Sequence, residues 1–116
     1  MPSARPNDEP PLKPAVFHIL LALSDSPQHG LGIADRVEQA TGGDIRLGPG
    51  TLYRSLKEMA GDGFVEQIPA PAEDEDPRRK FHRITEAGRI VLEAEAARYQ
   101  RIVEVAKERQ VLHEAR

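Results

Sequence analysis

The last third of the chain contains a long stretch without proline, and this stretch limits the folds open to the chain. Between residues 85 and 112 the only glycine is Gly88, and Thr85-Glu86 offers a capping hydroxyl followed by a carboxylate in the first helical turn. A helix of about 27 residues is about 40 Å long. Because a domain built from the preceding residues is shorter than that, we expect part of this helix to contact a second chain.

Apolar residues recur along this stretch with the 4-3-4-3 spacing of a heptad seam. The seam consists of Leu92, Ala96, Tyr99, Val103 and Ala106. We predict that these residues form the interface of a homodimer. The alternative is packing on the chain's own domain, and Val91, Ile102 and Val105 widen the apolar stripe enough for both kinds of contact.

Two helices are predicted in the first part of the chain, after an N-terminal arm. Residues 1–14 contain five prolines and no apolar periodicity, which predicts a disordered arm. Apolar residues at nearly every position from 15 to 23 are typical of a short buried helix. Turn residues occupy 24–30, and a second helix is predicted over 31–41 with an inner face of Ile33, Ala34, Val37 and Ala40.

A third helix is predicted to begin at Gly48-Pro49, because proline suits the first helical position, and to end at 61–63. Its inner face consists of Leu52, Leu56, Met59 and Ala60. The opposite face consists of Gly50, Arg54, Lys57 and Gly61, with Tyr53 on a flank. Before this helix, residues 44–47 alternate in polarity, which favours a short one-sided strand.

Two β-prone runs follow, at 64–68 and 79–84. The loop between them is rich in proline and carries four consecutive acids, so we predict that the runs pair as a long-tipped hairpin. Three helices followed by a hairpin form the winged helix-turn-helix arrangement, with the third helix in the recognition position. The predicted fold is therefore mainly α with a small β-hairpin, and it divides into a disordered N-terminal arm at 1–14, a winged-helix DNA-binding domain at 15–84 and a C-terminal dimerisation helix at 85–116.

The composition excludes several kinds of function. The chain has no cysteine, so disulfides, thiolate zinc sites and cysteine nucleophiles are excluded. Its four histidines lack the HxxxH or HxH spacing of a metal site, its serines lack a nucleophile-elbow pattern, and no Lys-Ser/Thr follows the glycines at 48–50. We therefore expect no metal, no cofactor and no enzymatic activity. No apolar run approaches the ~18 residues of a membrane helix, so we expect a cytoplasmic protein without membrane contact.

Net charge alone does not indicate the partner. The chain carries 16 Lys and Arg against 19 Asp and Glu, whereas nucleic-acid binders usually have a basic face. Between Arg46 and Arg89, however, there are 8 basic and 8 acidic residues, and four of those acids lie together at 73–76. The local pattern of charge must therefore identify the binding surface.

Three segments of the chain resemble the PadR family of bacterial transcriptional regulators. They are His-Gly-Leu-Gly-Ile at 29–33, Gly-Pro-Gly-Thr-Leu-Tyr at 48–53, and a basic run leading into Thr-Glu-Ala-Gly at 78–88. The resemblance covers residues 15–107 and is specific because the segments occur together and in this order. It implies a winged-helix homodimer that binds double-stranded operator DNA, usually as a repressor released by a small-molecule effector. The single C-terminal helix is similar to the shorter branch of the family.

With this resemblance, the outer face of the third helix becomes the predicted DNA-reading surface. Arg54 is the expected base reader, because its guanidinium fork can address a guanine edge in the major groove, and Lys57 lies on the same face. Thr51 and Tyr53 lie at the helix start, where hydroxyls commonly bind phosphate. For Tyr53, a half-buried position on the flank of the helix is the alternative.

The basic residues around the second hairpin strand are predicted to contact phosphate. They are Arg78, Arg79, Lys80 and Arg83. The alternative is that they neutralise the acids at 73–76, a surface contact of little stability that would reduce non-specific DNA binding. Because phosphate repels acids, we expect the hairpin tip to point away from the duplex and only the stem, 79–83, to approach it.

The sequence thus predicts a DNA-binding transcriptional regulator that binds a pseudo-palindromic operator as a homodimer, with half-sites about one helical turn apart. The alternative is a winged-helix module that binds a protein, with its basic wing facing an acidic partner. A steep salt dependence of DNA binding would distinguish the first from the second.

Overall fold

Four helices and a small sheet make up residues 11–113, which the computed structural model describes. In chain order the elements are α1 (Pro14–Ala22), β1 (Gln28–His29), α2 (Gly30–Ala40), α3 (Pro49–Gly61), β2 (Val65–Pro69), β3 (Lys80–Ile84) and α4 (Glu86–Glu108). The predicted class, mainly α with a small hairpin and a long C-terminal helix, is confirmed. Within these residues no helix combines the length and apolarity needed to cross a membrane.

The sheet has three antiparallel strands in the order β1-β3-β2. The predicted hairpin is confirmed, with Val65 opposite Ile84 and Pro69 opposite Lys80. The predicted strand at 44–47 is wrong, because this segment is irregular and serves to bring its two apolar side chains onto the core. The third strand is β1 instead, which lies in the predicted turn at 24–30 and pairs His29 with Phe81.

The core lies between the three short helices and the hairpin. Its fully buried side chains include Ile19, Leu20, Ile33, Leu52 and Met59. The predicted inner faces of α2 and α3 are correct except at their last positions, where Ala40 and Ala60 are exposed. The outer face of α3 is thereby directed to solvent.

The start of α4 is fixed by a cap and by a close backbone approach. The Thr85 hydroxyl accepts a hydrogen bond from the Gly88 N–H at 3.1 Å, as the predicted capping role requires. A Cβ atom at Gly88 would lie 2.2 Å from the Phe64 carbonyl oxygen. That oxygen also accepts the Thr85 N–H at 3.0 Å, so the helix start and the end of the α3–β2 connection are held together.

The first half of α4 packs on the core of the winged-helix fold, the alternative considered for part of the seam. Val91, Leu92 and Glu95 are buried within the protomer. From residue 96 onward the helix extends away from this core, and most of its side chains are exposed. The helix ends at Glu108, short of the predicted 112, where Gln110 adopts a left-handed φ of 63° and the Val111 N–H returns to the Ala106 carbonyl at 2.9 Å.

The last residues of the predicted arm are part of the fold. Pro14 is already the first residue of α1, and the Leu12 side chain is buried. The Leu12 N–H donates to Glu95 Oε2 at 2.7 Å, and the Arg98 guanidinium donates to both Glu95 oxygens, at 2.6 and 3.2 Å. The first ten residues of the arm lie outside the described residues.

Glu95 is a buried carboxylate whose three hydrogen bonds stabilise its charged form. The hydrogen bond from Arg98 lowers its pKa, burial opposes this, and the Leu12 N–H lowers it further. Because the pKa is lower in the folded state, this carboxylate stabilises the fold above its unfolded pKa. The contribution is lost as the pH falls through the lowered folded pKa.

A Glu95→Ala variant is expected to lose about 1–3 kcal/mol of unfolding free energy, because the buried Leu12 N–H loses its acceptor. Urea denaturation at neutral pH measures this loss. The matched control is Glu93→Ala, which removes an exposed carboxylate from the same helix and should change little. At a pH below the folded pKa of Glu95 the difference between Glu95→Ala and wild type should become smaller. Equal stability of the two variants at neutral pH would contradict the anchoring role of Glu95.

Candidate nucleic-acid interface

Helix α3 presents a polar face to solvent, and the sequence explains why. Pro49 occupies the first helical turn after the Gly48 cap, and the buried inner positions orient the helix on the core. The predicted contact residues of this helix, Thr51, Tyr53, Arg54 and Lys57, are all exposed. Within residues 11–113 the Arg54 and Lys57 head groups form no ion pair or hydrogen bond, so they are free to bind an anionic partner.

Tyr53 connects α3 to the start of α2. Its side chain is 52% exposed, and the phenol lies against Gly30, where a Cβ atom would be 2.4 Å from the Tyr53 hydroxyl oxygen. The Tyr53 ring is therefore partly covered by the backbone at Gly30, as the alternative of a half-buried flank position expected. The hydroxyl lies beside the first turn of α2, where the helix dipole favours an anion.

A cleft of about 240 Å³ lies between α3, the start of α2 and the wing. Its walls are His29, Gly30, Leu31, Tyr53, Arg79 and Lys80. The fold therefore brings the predicted residue Tyr53 together with two predicted wing residues, which are 26 and 27 positions further along the chain. Lys80 is exposed and, within the described part of the chain, its amine has no carboxylate partner.

A second cleft of about 300 Å³ lies between α3 and the inner face of the hairpin. Its walls include Lys57 from α3, Gln67 from β2 and His82 from β3. Burial lowers the pKa of His82, so its ring favours the neutral form. Because side chains alternate along a strand, Lys80 shares the His82 face, whereas Arg83 is on the other face.

The remaining basic residues of the wing are paired within the protomer. Arg78 donates to Asp76 Oδ1 through its Nε at 3.3 Å, and Arg79 pairs with Glu75 at 3.0 Å. Arg83 pairs with Glu66, the residue opposite it on β2. Neutralisation by the acidic loop, the alternative considered from the sequence, therefore occurs for Arg78 and Arg79, whereas Arg83 pairs with a strand residue.

The five predicted seam residues divide between two environments. Leu92 is buried inside the protomer, and the Tyr99 ring packs edge-on against Phe17 with 4.9 Å between ring centroids. Ala96 and Val103 are exposed, and Ala106 is partly exposed. The continuous exposed part of the seam is therefore its C-terminal end, whereas Ala96 is exposed between Leu92 and Tyr99, which contact their own protomer.

Three residues of structural importance have roles that the sequence analysis missed. Glu95 interrupts the apolar stripe of α4 three positions before an arginine, and this pattern was the available signal. His29 caps α2 by accepting the Gly32 N–H at Nδ1, at 3.2 Å, but no local pattern marks a histidine cap. Gly88 was visible as the single glycine of α4, although its contact partner was not.

The family of the chain follows from its match to known sequences. The model of the transcriptional regulator PadR-like family matches residues 19–94, which include the end of α1, all of α2 and α3, the wing and the buried start of α4. The chain belongs to this family. The resemblance proposed from the three sequence segments is confirmed, and this PadR-like family is one of transcriptional regulators rather than of enzymes.

Solved structures agree with this assignment. A PadR family transcription regulator from Clostridium difficile superimposes with a TM-score of 0.71 at 23% identity, covering 81% of this chain and 95% of that one. PadR of Bacillus subtilis, in complex with operator DNA, superimposes with a TM-score of 0.60 at 16% identity, covering 91% of this chain and 51% of that one. At these identities the likeness establishes the winged-helix fold.

A curated relative is a protein of 37.1 kDa encoded in transposon TN4556 of Streptomyces fradiae, and it is uncharacterized. It is 41% identical over 78 residues, which are 67% of this chain and 21% of the relative. The chain thus spans about a fifth of the length of that protein.

Proposed function

We propose that this PadR-like regulator binds a pseudo-palindromic operator as a homodimer, with α3 in the major groove and Lys80 on the phosphate backbone. One observation carries the proposal: Arg54 and Lys57 are exposed and unpaired on the outer face of α3, among residues 11–113. An arginine on this face can form two hydrogen bonds to a guanine edge. Thr51, Tyr53 and Lys80 then lie toward phosphate.

The exposed part of α4 supports the homodimer. Beyond the core, Ile102, Val103 and Val105 are 48%, 37% and 47% exposed. They lie close together on a helix that extends past the domain, and soluble monomers seldom expose such a contiguous apolar patch. A second copy would cover this surface and place two recognition helices on one duplex.

Repression and its release by a small-molecule effector are part of the same proposal. They are supported by the family resemblance, in which regulators of this kind usually block transcription until a ligand binds. Transcription from a reporter carrying the selected operator, with and without the chain, measures the sign of regulation. A reporter that is activated would contradict the repressor role without affecting the proposal of DNA binding.

An Arg54→Ala variant should bind its operator about 1–3 kcal/mol more weakly and lose preference at one base pair in each half-site. The operator is first obtained by selecting bound fragments from a random DNA pool. The measurement is affinity for the operator and for single-base variants of it at fixed salt. The matched control is Arg46→Ala, which removes an arginine that is 75% exposed and lies before α3, outside the predicted contact residues and the exposed part of α4.

An equal loss of operator affinity in both variants would indicate that Arg54 contributes general electrostatic attraction rather than base reading. Unchanged affinity in Arg54→Ala, with the fold intact, would favour the alternative of a winged-helix module that binds an acidic protein through its wing. In that case the selection experiment would also return no common sequence.

A further inference from the structure

Arg79 is the most heavily paired basic residue of the wing. Its Nη2 donates to Glu75 Oε1 at 3.0 Å, and its Nε lies 3.9 Å from Asp74 Oδ2. Its Nη1 lies 2.9 Å from His29 Nε2, on strand β1. The side chain is only 31% exposed. The guanidinium therefore bridges the acidic loop and the start of α2.

The acidic loop is shaped to hold this arginine. Asp74 is 14% exposed and also accepts the Asp76 N–H at Oδ2, at 3.2 Å, so its carboxylate is fixed in place. The Arg79 N–H in turn donates to the Asp76 carbonyl at 3.1 Å. Side chain and backbone of Arg79 are thus both bound by the acidic run of the same loop.

The contact between Arg79 and His29 is the least favourable of the contacts that hold Arg79. An imidazole ring accepts a hydrogen bond on at most one of its nitrogens. His29 Nδ1 already faces the Gly32 N–H as the cap of α2. If Nδ1 accepts, Nε2 carries a proton and faces a second donor, Arg79. The two contacts of His29 therefore compete, and release of Arg79 removes the competition.

Arg79 also lies where phosphate is expected. It lines the cleft between α3 and the wing together with Tyr53 and Lys80, which the proposed function places on the DNA backbone. A phosphate in this cleft would be a third partner for the guanidinium, after the loop carboxylates and His29. Carboxylate and phosphate bind a guanidinium through the same N–H donors, so they exclude each other on one edge of the planar group.

We propose that Asp74 and Glu75 act as a built-in competitor of DNA phosphate for Arg79, and that this competition lowers non-specific binding and thereby sets specificity. The inference rests on the proposed function. In non-specific encounters Arg79 stays on the loop and contributes no phosphate contact. In the operator complex, base contacts from α3 hold the duplex close enough for phosphate to displace the loop.

The test compares Asp74→Asn/Glu75→Gln with wild type. Both substitutions keep the shape of the side chain, and the amide oxygen at position 74 can still accept the Asp76 N–H. We expect affinity for random duplex to rise about three- to tenfold at low salt and the salt slope to steepen by about 0.9 per protomer, as one new phosphate contact predicts. Affinity for the operator should rise less. Glu75→Gln alone should show part of the effect, because the Glu75 side chain is 83% exposed and, within the described residues, its carboxylate forms an ion pair only with Arg79.

Two controls separate release of Arg79 from a general change of charge. Glu73→Gln/Glu93→Gln also removes two negative charges, but from residues that do not pair with Arg79 in the described structure. This variant should leave the salt slope unchanged. The second control places Asp74→Asn/Glu75→Gln in an Arg79→Ala background, where the gain should disappear. The inference would be overturned if affinity for random duplex rose equally in the charge control or rose in the absence of Arg79. It would also be overturned if this affinity did not rise at all.

Failure of the proposed function has a different signature. In that case wild type would bind neither operator nor random duplex, and Arg54→Ala would change nothing. The inference about Arg79 would then fail with it.

Discussion

A Gly88→Ala variant is expected to lose about 2–3 kcal/mol of unfolding free energy, although alanine is the better helix former by about 1 kcal/mol. The added Cβ would lie 2.2 Å from the Phe64 carbonyl oxygen and 3.0 Å from the Ile84 side chain. Because the closest atom is backbone, no side-chain rotation can relieve the clash. Helix α4 would have to move, which would strain the hydrogen bond from Thr85 to the same carbonyl.

The matched control is Gly61→Ala at the end of α3, where a Cβ atom would have no neighbour within 4 Å. This variant should be as stable as wild type or slightly more stable, since it gains helix propensity without a clash. Urea denaturation of both variants, followed by circular dichroism, measures the difference. If Gly88→Ala were as stable as Gly61→Ala, the close approach of α4 to Phe64 would not contribute to the fold.

An Ile102→Glu/Val103→Glu variant is expected to be a folded monomer. If two copies pair through the exposed half of α4, the variant places four charges in an apolar interface. The dimer dissociation constant should then rise at least a thousandfold, which corresponds to about 4 kcal/mol. Neither side chain is buried in its own protomer, so helix content and cooperative unfolding should be retained. Sedimentation equilibrium gives the association state.

Ile102 and Val103 are chosen because both are exposed in the structure, not because of the heptad spacing of the predicted seam. Tyr99 belongs to the predicted seam, but its ring packs on Phe17, so its replacement would confound dimerisation with folding. The matched control is Ile90→Glu, which alters an apolar residue of the same helix that is 61% exposed and, at α4 spacing, lies opposite Tyr99. A dimer that survives Ile102→Glu/Val103→Glu, or that is lost equally in Ile90→Glu, would place the interface elsewhere.

Several elements could be predicted because their signals are local. Pro49 and the glycines at 61–63 set the ends of α3, and Thr85 caps α4 through a hydrogen bond to a residue three positions away. Helical periodicity placed Arg54 and Lys57 opposite the buried face, and the structure confirms their exposure. Caps, turns and periodicity act over one to four residues, so they can be read without knowing what the element packs against.

Other features depend on partners that are distant in the chain. Strand β1 has two residues and exists because it pairs with β3, which lies about fifty positions later. The Leu12 N–H binds Glu95 across a separation of 83 residues, so the composition of the arm could not reveal this contact. The same applies to Gly88, whose role is visible only once Phe64 is placed against it.

The sequence by itself therefore determined the order of the helices, the hairpin, the exposed face of α3 and the family of the chain. Only the tertiary structure decided which residues of the α4 seam are exposed and which wing cations are paired within the protomer. The physical reason is that an apolar side chain can pack against any apolar neighbour, and a charged side chain can pair with any neighbour of opposite charge. Tyr99 and Arg79 each had more than one candidate partner in the sequence, and packing selected Phe17 for the first and the acidic loop with His29 for the second.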